Sequence, residues 1–303
     1  MKQRAQFKIY LAVLIVVMAV FSAKAQQTNV VSVTDFKLNS KLMEREMPYR
    51  VVFPKNYEAD KTARFTVIYL LHGLTGHYNN WGDKTSIAKY LEPFNFIVVM
   101  PEGDNGWYSD SATVAKDKYE SYIVKELIPE IDKNFRTNSS RDGRIMAGLS
   151  MGGYGSLKFG LKYPEMFTLV GSFSGALGIA SWTKAITGSI GGAVATSIPS
   201  VYGADDSQTR KDNDIFKIAK ELPADKISQL PFIYLDCGTE DLLITNARDF
   251  SAVLMEKKIP HEYRQRPGAH TWQYWEAQIQ EFLRLSERHL KMVETIKTTV
   301  KTE

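Results

Sequence analysis

Apolar and polar residues follow two different patterns along this chain. Over residues 30–38 and 48–53 they alternate, which predicts antiparallel strands with one covered face. Beyond these, the alternation gives way to short unbroken apolar runs at 65–71, 96–100, 145–148, 169–173 and 232–236. Parallel strands need such runs when helices cover both faces of their sheet. Helical spacing falls between them, at 86–94, 119–135, 154–163, 215–221, 247–258 and 272–293, and 261–266 reads as a last strand. Strands alternating with helices give an α/β fold: a mostly parallel central sheet, antiparallel N-terminal strands and helices on both faces.

One connection does not fit this rhythm. Residues 176–214 carry no strand, and their middle is rich in Gly, Ser and Ala. A connection that long in a compact domain is usually functional or mobile. Two readings stand side by side, a cap near the active site or a variable surface insertion. No repeat or low-complexity linker divides 26–292, so that span reads as one domain. Residues 293–303 read as a polar, frayed tail.

The first 25 residues follow a different logic. Lys2, Arg4 and Lys8 precede an apolar run at 9–21, and Ala23-Lys24-Ala25 ends the segment as a cleavage site. The run is too short for a comfortable membrane span, so 1–25 reads as a signal peptide, with export after cleavage at Ala25. This segment also changes the charge. The chain has 38 Lys and Arg against 34 Asp and Glu. The excess of four is Lys2, Arg4, Lys8 and Lys24, so the exported chain is balanced. A balanced chain is not steered to polyanions, and no basic run interleaved with aromatics argues for nucleic acid. The single Cys237 excludes an intramolecular disulfide and, following an apolar strand, reads as a buried structural thiol. No Cys or His cluster has metal-ligand spacing, so neither a metal nor a cofactor is expected.

The chemistry is carried by Gly148-Leu149-Ser150-Met151-Gly152. A serine between an apolar strand and a helix sits on a tight corner, where small neighbours leave its hydroxyl exposed at the helix N-terminus. Chance places G-x-S-x-G in such a chain roughly 0.1 times, so the motif needs partners. A second cluster, Gly171-Ser172-Phe173-Ser174-Gly175, has the wrong spacing and reads as a strand end and turn.

A serine hydroxyl needs a base, and His270 lies on the Pro/Gly-marked loop immediately beyond the last strand. The other histidines have duller readings. His289 lies on the last helix, at the surface, and His261 opens a strand. His72 and His77 belong to the loop after 65–71, where His72 supports the loop. The orienting acid is Asp241, beyond the 232–236 strand, with Glu240 as runner-up and Asp236 as a brace. The order Ser150, Asp241, His270 is that of a hydrolase triad. The oxyanion donors are the backbone N–H groups of Met151 and of Leu74, where Gly73 and Gly76 permit close approach. Trp107, Tyr108 and Trp272 are expected to line the substrate pocket, whereas Trp275 reads as core.

These residues resemble the esterase D-like branch of the α/β hydrolases. The likeness runs from about Val51 to Leu285 and rests on five ordered motifs: Tyr69-Leu-Leu-His-Gly-Leu74, Trp107-Tyr-Ser-Asp110, Gly148-Leu-Ser-Met-Gly-Gly153, Cys237-Gly-Thr-Glu-Asp241 and Gly268-Ala-His-Thr-Trp272. The branch includes feruloyl, acetylxylan and tributyrin-type esterases, S-formylglutathione hydrolases and mycolyltransferases. The resemblance implies the same triad and oxyanion pair, an α/β-hydrolase fold and a serine carboxylesterase. The expected substrates are short acyl, acetyl or feruloyl esters on carbohydrate. Acyl transfer, a formylglutathione-type thioesterase and an inactive binding module are the alternatives. Export argues against the thioesterase, whose thiol substrate is cytosolic.

Overall fold

The computed structural model describes residues 31–302. The segment read as a signal peptide, 1–25, lies outside the described residues. Within them the strands are β1 (Ser32–Ser40), β2 (Arg45–Phe53), β3 (Thr66–Leu71), β4 (Phe96–Pro101), β5 (Arg144–Leu149), β6 (Leu169–Phe173), β7 (Phe232–Gly238) and β8 (His261–Arg266). They form one sheet in the order β1-β2-β4-β3-β5-β6-β7-β8. β1–β2 and β2–β4 are antiparallel, and the other five pairings are parallel. This is the α/β-hydrolase plan.

The unbroken apolar runs serve two cores at once. In β3, Val67, Tyr69 and Leu71 point into one core, and Ile68 and Leu70 into the other. The helices are α1 (Asn80–Lys84), α2 (Ile87–Tyr90), α3 (Tyr119–Tyr122), α4 (Ile128–Asn134), α5 (Met151–Lys162), α6 (Lys184–Ile190), α7 (Gly192–Tyr202), α8 (Gln208–Asn213), α9 (Ile215–Glu221), α10 (Ile244–Glu256) and α11 (Trp272–Thr302). A π-helical turn, Ile123–Leu127, joins α3 to α4. The decoy cluster 171–175 has a packing role. A Cβ on Gly171 would come within 2.4 Å of the Phe282 ring, so this glycine lets α11 lie against β6.

The structure gives form to two segments. Residues 293–302 continue α11, which runs to Thr302. Along its outer turns Lys291 pairs with Glu287 one turn earlier and Lys297 with Asp142. The long connection 176–214 is not loop but a run of short helices, α6 to α8. Its glycines mislead because they end helices. Gly191 (φ 76°) and Gly203 (φ 71°) take the left-handed region at the ends of α6 and α7. Thr183 and Ser207 cap the starts of α6 and α8. Buried Arg210 donates to the carbonyls of Ala180, Trp182 and Ala204 and ties the segment together. Among the described residues no helix is long and apolar enough to cross a membrane.

Candidate active site

The sharp turn at Ser150 is forced by close packing around it. Ser150 has φ 52° and ψ −112°, outside the comfortable regions for a side-chain-bearing residue. The strain is held by backbone bonds: Ser150 N–H donates to Phe173 O (2.9 Å), and Ser150 O accepts from Tyr154 N–H (3.0 Å) and Ala176 N–H (3.1 Å). The flanking glycines leave room for the turn. A Cβ on Gly148 would sit 2.6 Å from Gly152 backbone, and one on Gly152 would sit 2.6 Å from Leu71 O and 2.7 Å from His72 O. Backbone cannot swing aside as a side chain does. Gly152→Ala is therefore expected to destabilise the fold by about 2 kcal/mol, seen as a melting temperature several degrees lower. An unchanged melting temperature would contradict this packing.

β5, β7 and β8 deliver three side chains to the same edge of the sheet. His270 Nε2 lies 3.0 Å from Ser150 Oγ, and His270 Nδ1 lies 2.9 Å from Asp241 Oδ2. The Asp241 side chain is fully buried, and its other oxygen accepts Leu243 N–H at 2.8 Å. A carboxylate can only accept, so the proton between the pair sits on Nδ1, leaving Nε2 free to accept from Ser150. Burial pushes the Asp241 carboxyl up, but hydrogen bonds from His270 and Leu243 outweigh it and hold the carboxyl below its usual range. The imidazole rests edge-on against Trp275, with ring centres 4.9 Å apart.

The neighbouring carboxylates do other things. Glu240 is exposed and bonds Gly268 N–H and Thr239 Oγ1, fastening the His270 loop from outside. Asp236 is wholly buried on β7, where desolvation pushes its carboxyl up to about 8. His72 is buried, with Nδ1 2.8 Å from Gly73 O and Nε2 accepting Gly103 N–H at 2.9 Å. His77 is exposed, and His261 bonds Ser251 and Ile259 O. His289 is not a free surface residue: it is partly buried against Phe232 and bonds Thr168.

Loop 72–78 approaches Ser150 from the other side. A Cβ on Gly73 would lie 3.4 Å from Ser150 Cβ, so backbone passes directly beside the hydroxyl. The loop is clamped by the turn after β4. Glu102 accepts from Tyr78 N–H (3.3 Å), Gly103 N–H (3.1 Å) and Asp104 N–H (2.7 Å), and Asn105 Oδ1 accepts Thr75 N–H at 2.8 Å. Burial raises the Glu102 carboxyl, but His72 first, and then the Asp104 and Tyr78 N–H groups, lower it to about 2. No hydrogen bond among the described residues uses the Leu74 N–H. Met151 is the first residue of α5, so its N–H has no acceptor within the helix.

A cavity of about 690 Å³ opens over Ser150 and His270. Trp272 lines it, with ring contacts to Trp81 and Trp275. Trp107 also forms part of its wall, mostly buried, and its Nε1–H donates to Ser197 Oγ of α7 at 2.9 Å. Tyr108 corrects the expectation: it does not face the cavity. It is fully buried, and its hydroxyl donates to His72 O at 3.0 Å beneath the loop. Trp275 is core as expected, yet it also borders the cavity.

Comparison with known proteins decides what this site belongs to. The family model described as "Putative esterase" matches residues 40–285. The chain belongs to this esterase family. An acetyl esterase of Caldicellulosiruptor saccharolyticus is 29% identical over 248 residues, covering 79% of this chain and 92% of the relative. An endo-1,4-beta-xylanase/feruloyl esterase of Xylanibacter ruminicola is 34% identical over 124 residues, covering 38% of this chain and 17% of the relative. A solved ferulic acid esterase superposes with a TM-score of 0.73 at 25% identity, over 86% of this chain and 99% of that one. The protein is a carboxylic ester hydrolase on a serine-hydrolase fold.

The sequence alone missed part of the esterase's cavity. Ile179, Trp182, Ile190 and Val194 line it from the 176–214 segment, and Leu242 and Leu243 from beyond Asp241. A signal was present: Ile179, Trp182, Ile190 and Val194 are large apolar residues in a stretch otherwise rich in Gly, Ser and Ala. The glycines between them hid it.

Proposed function

We propose that this esterase is exported and hydrolyses short-chain acyl, acetyl or feruloyl esters carried on carbohydrate, through an acyl-enzyme on Ser150. The observation that carries this reading is the hydrogen-bonded chain Ser150–His270–Asp241 at the mouth of an apolar cavity. In the proposed roles His270 takes the Ser150 proton as Oγ attacks the ester carbonyl, and Asp241 holds the tautomer and stabilises the imidazolium. The Leu74 and Met151 N–H groups receive the developing oxyanion. His270 then returns the proton to the leaving alcohol, and water repeats the sequence to release the acid.

The activities of the relatives support acetyl and feruloyl esters as the substrate class. The leader 1–25 supports export. The 176–214 segment serves as a cap, since Ala176, Ile179, Trp182, Ile190 and Val194 border the cavity. A fluorophosphonate probe is expected to label Ser150 stoichiometrically, and a panel of feruloyl, acetyl-xylan and butyryl esters is expected to yield free acid. No labelling would sink the acyl-enzyme. Acyl-sugar forming faster than free acid when a sugar acceptor is added would replace hydrolysis with transfer.

A further inference from the structure

Lys158 lies in the middle of α5 with its side chain entirely inaccessible to solvent. A buried ammonium is costly unless every proton is used. Here each is: Lys158 Nζ donates to Tyr108 O (2.6 Å), Ser109 Oγ (2.7 Å) and Glu120 Oε2 (2.7 Å). Glu120 is satisfied in turn by Lys162 (2.6 Å) and the Tyr163 hydroxyl (2.7 Å). None of this touches Ser150, His270 or Asp241, and Lys158 does not line the cavity. The triad chemistry gives no reason for a buried cation here.

The reason lies in the turn that Lys158 grips. Trp107 and Tyr108 both have φ 50°, two consecutive bulky residues in the left-handed region. Such residues stay there only when their surroundings hold them. A turn of this kind also aims carbonyls inward, where each needs a donor. Lys158 supplies one for Tyr108 O, and Ser109 Oγ–H supplies one for Trp107 O at 3.0 Å. The Tyr108 ring is wedged between Gly103 and Gly155, where added Cβ atoms would come within 2.5 and 2.7 Å of it. The consequence for the cavity is the placement of Trp107, which is set in its wall and linked to Ser197 of α7.

We propose that Lys158 is a positioning residue for acyl specificity: it fixes the 107–109 turn, and through Trp107 it sets the wall against which a bulky acyl group packs. This rests on the esterase reading above. It assigns Trp107 and α7 to the acyl side, because Trp107 lines the cavity together with the apolar Ile179, Trp182 and Val194 and is bonded to Ser197 of α7. On this assignment turnover of a feruloyl ester depends on that wall and turnover of an acetyl ester does not.

Burial lowers the Lys158 ammonium to about 8 despite the attraction of Glu120. The groups that face it are Glu120 and Asp110, with Lys162 opposing, and the Tyr154 ring 5.8 Å from Nζ. Burial raises Glu120, but the two lysines bring it to about 2, so the carboxylate is charged throughout the working range. Loss of the Lys158 proton therefore removes one of three donors and loosens the turn on the alkaline side.

The test compares p-nitrophenyl acetate with p-nitrophenyl ferulate in wild type and Lys158→Met. The variant is expected to raise KM for the ferulate roughly tenfold while kcat/KM for the acetate stays within about twofold, with Ser150 labelled by the fluorophosphonate at the wild-type rate. In wild type, KM for the ferulate alone is expected to rise above pH about 8, a limb that Lys158→Met abolishes. Where Lys158→Met does not fold, Ser109→Ala removes one acceptor, keeps the ion pair, and is expected to give a smaller split in the same direction. Both esters failing by the same factor, or neither changing in a folded variant, overturns the proposal. A wild type that hydrolyses neither ester overturns the esterase reading and this proposal with it. A hydrolysing wild type with an unsplit variant overturns the proposal alone.

Discussion

Ser150→Ala is expected to lower turnover of p-nitrophenyl acetate by four to six powers of ten, with the folded structure intact. The size follows from how such a unit works. Nucleophile and base act together, so removing either costs about 10⁶ in kcat, and oxyanion donors and binding leave a residual rate about 10³–10⁴ above water. The fold should tolerate the change. The Ser150 hydroxyl is bonded only to His270 among the described residues, and the backbone bonds that hold the strained turn do not involve it. Alanine carries the same Cβ penalty at φ 52° that serine already bears. The measurement is kcat by active-site-normalised kinetics, with circular dichroism and melting temperature as controls. A folded variant within tenfold of wild type would remove Ser150 from the chemistry.

The site was more legible than its surroundings, for a physical reason. Each side chain of the Ser150–His270–Asp241 chain stands just past a parallel strand, and such strands announce themselves as unbroken apolar runs. The order of chemistry-bearing residues could therefore be read off the ends of the runs. The acid was ambiguous between Asp241 and Glu240 because adjacent residues share a strand end. The structure separates them by direction: Asp241 faces the imidazole from full burial, and Glu240 faces out to Gly268. Tyr108 could not be placed from sequence. Its neighbour Trp107 takes the same left-handed φ, and two such residues in succession throw their side chains to different sides, one into the wall and one under the loop. The 176–214 helices were hidden by glycines that end helices. The helical extension of α11 past 293 was hidden because its threonines are weak helix formers.

Asp241→Asn is the sharper test of the same arrangement, with an expected loss of about 10⁴ in kcat. The loss comes from geometry and not from charge alone. One carboxylate oxygen of Asp241 accepts Leu243 N–H at 2.8 Å, and an asparagine must keep its carbonyl oxygen there. Its amide NH₂ is then turned toward His270 Nδ1, which must accept. The ring proton moves to Nε2, the atom 3.0 Å from Ser150 Oγ, and the base can no longer take the serine proton. Wild-type activity should not fall on the acid side through Asp241 itself. Its folded carboxyl lies below the unfolded value of 3.8, so it remains ionised until the pH drops beneath that. Glu240→Gln provides the control: it loosens the outer fastening of the His270 loop and is expected to cost less than about tenfold in kcat. If Glu240→Gln instead abolishes turnover and Asp241→Asn retains it, the orienting role passes to Glu240, and the imidazole must swing to the outer face of its loop during catalysis.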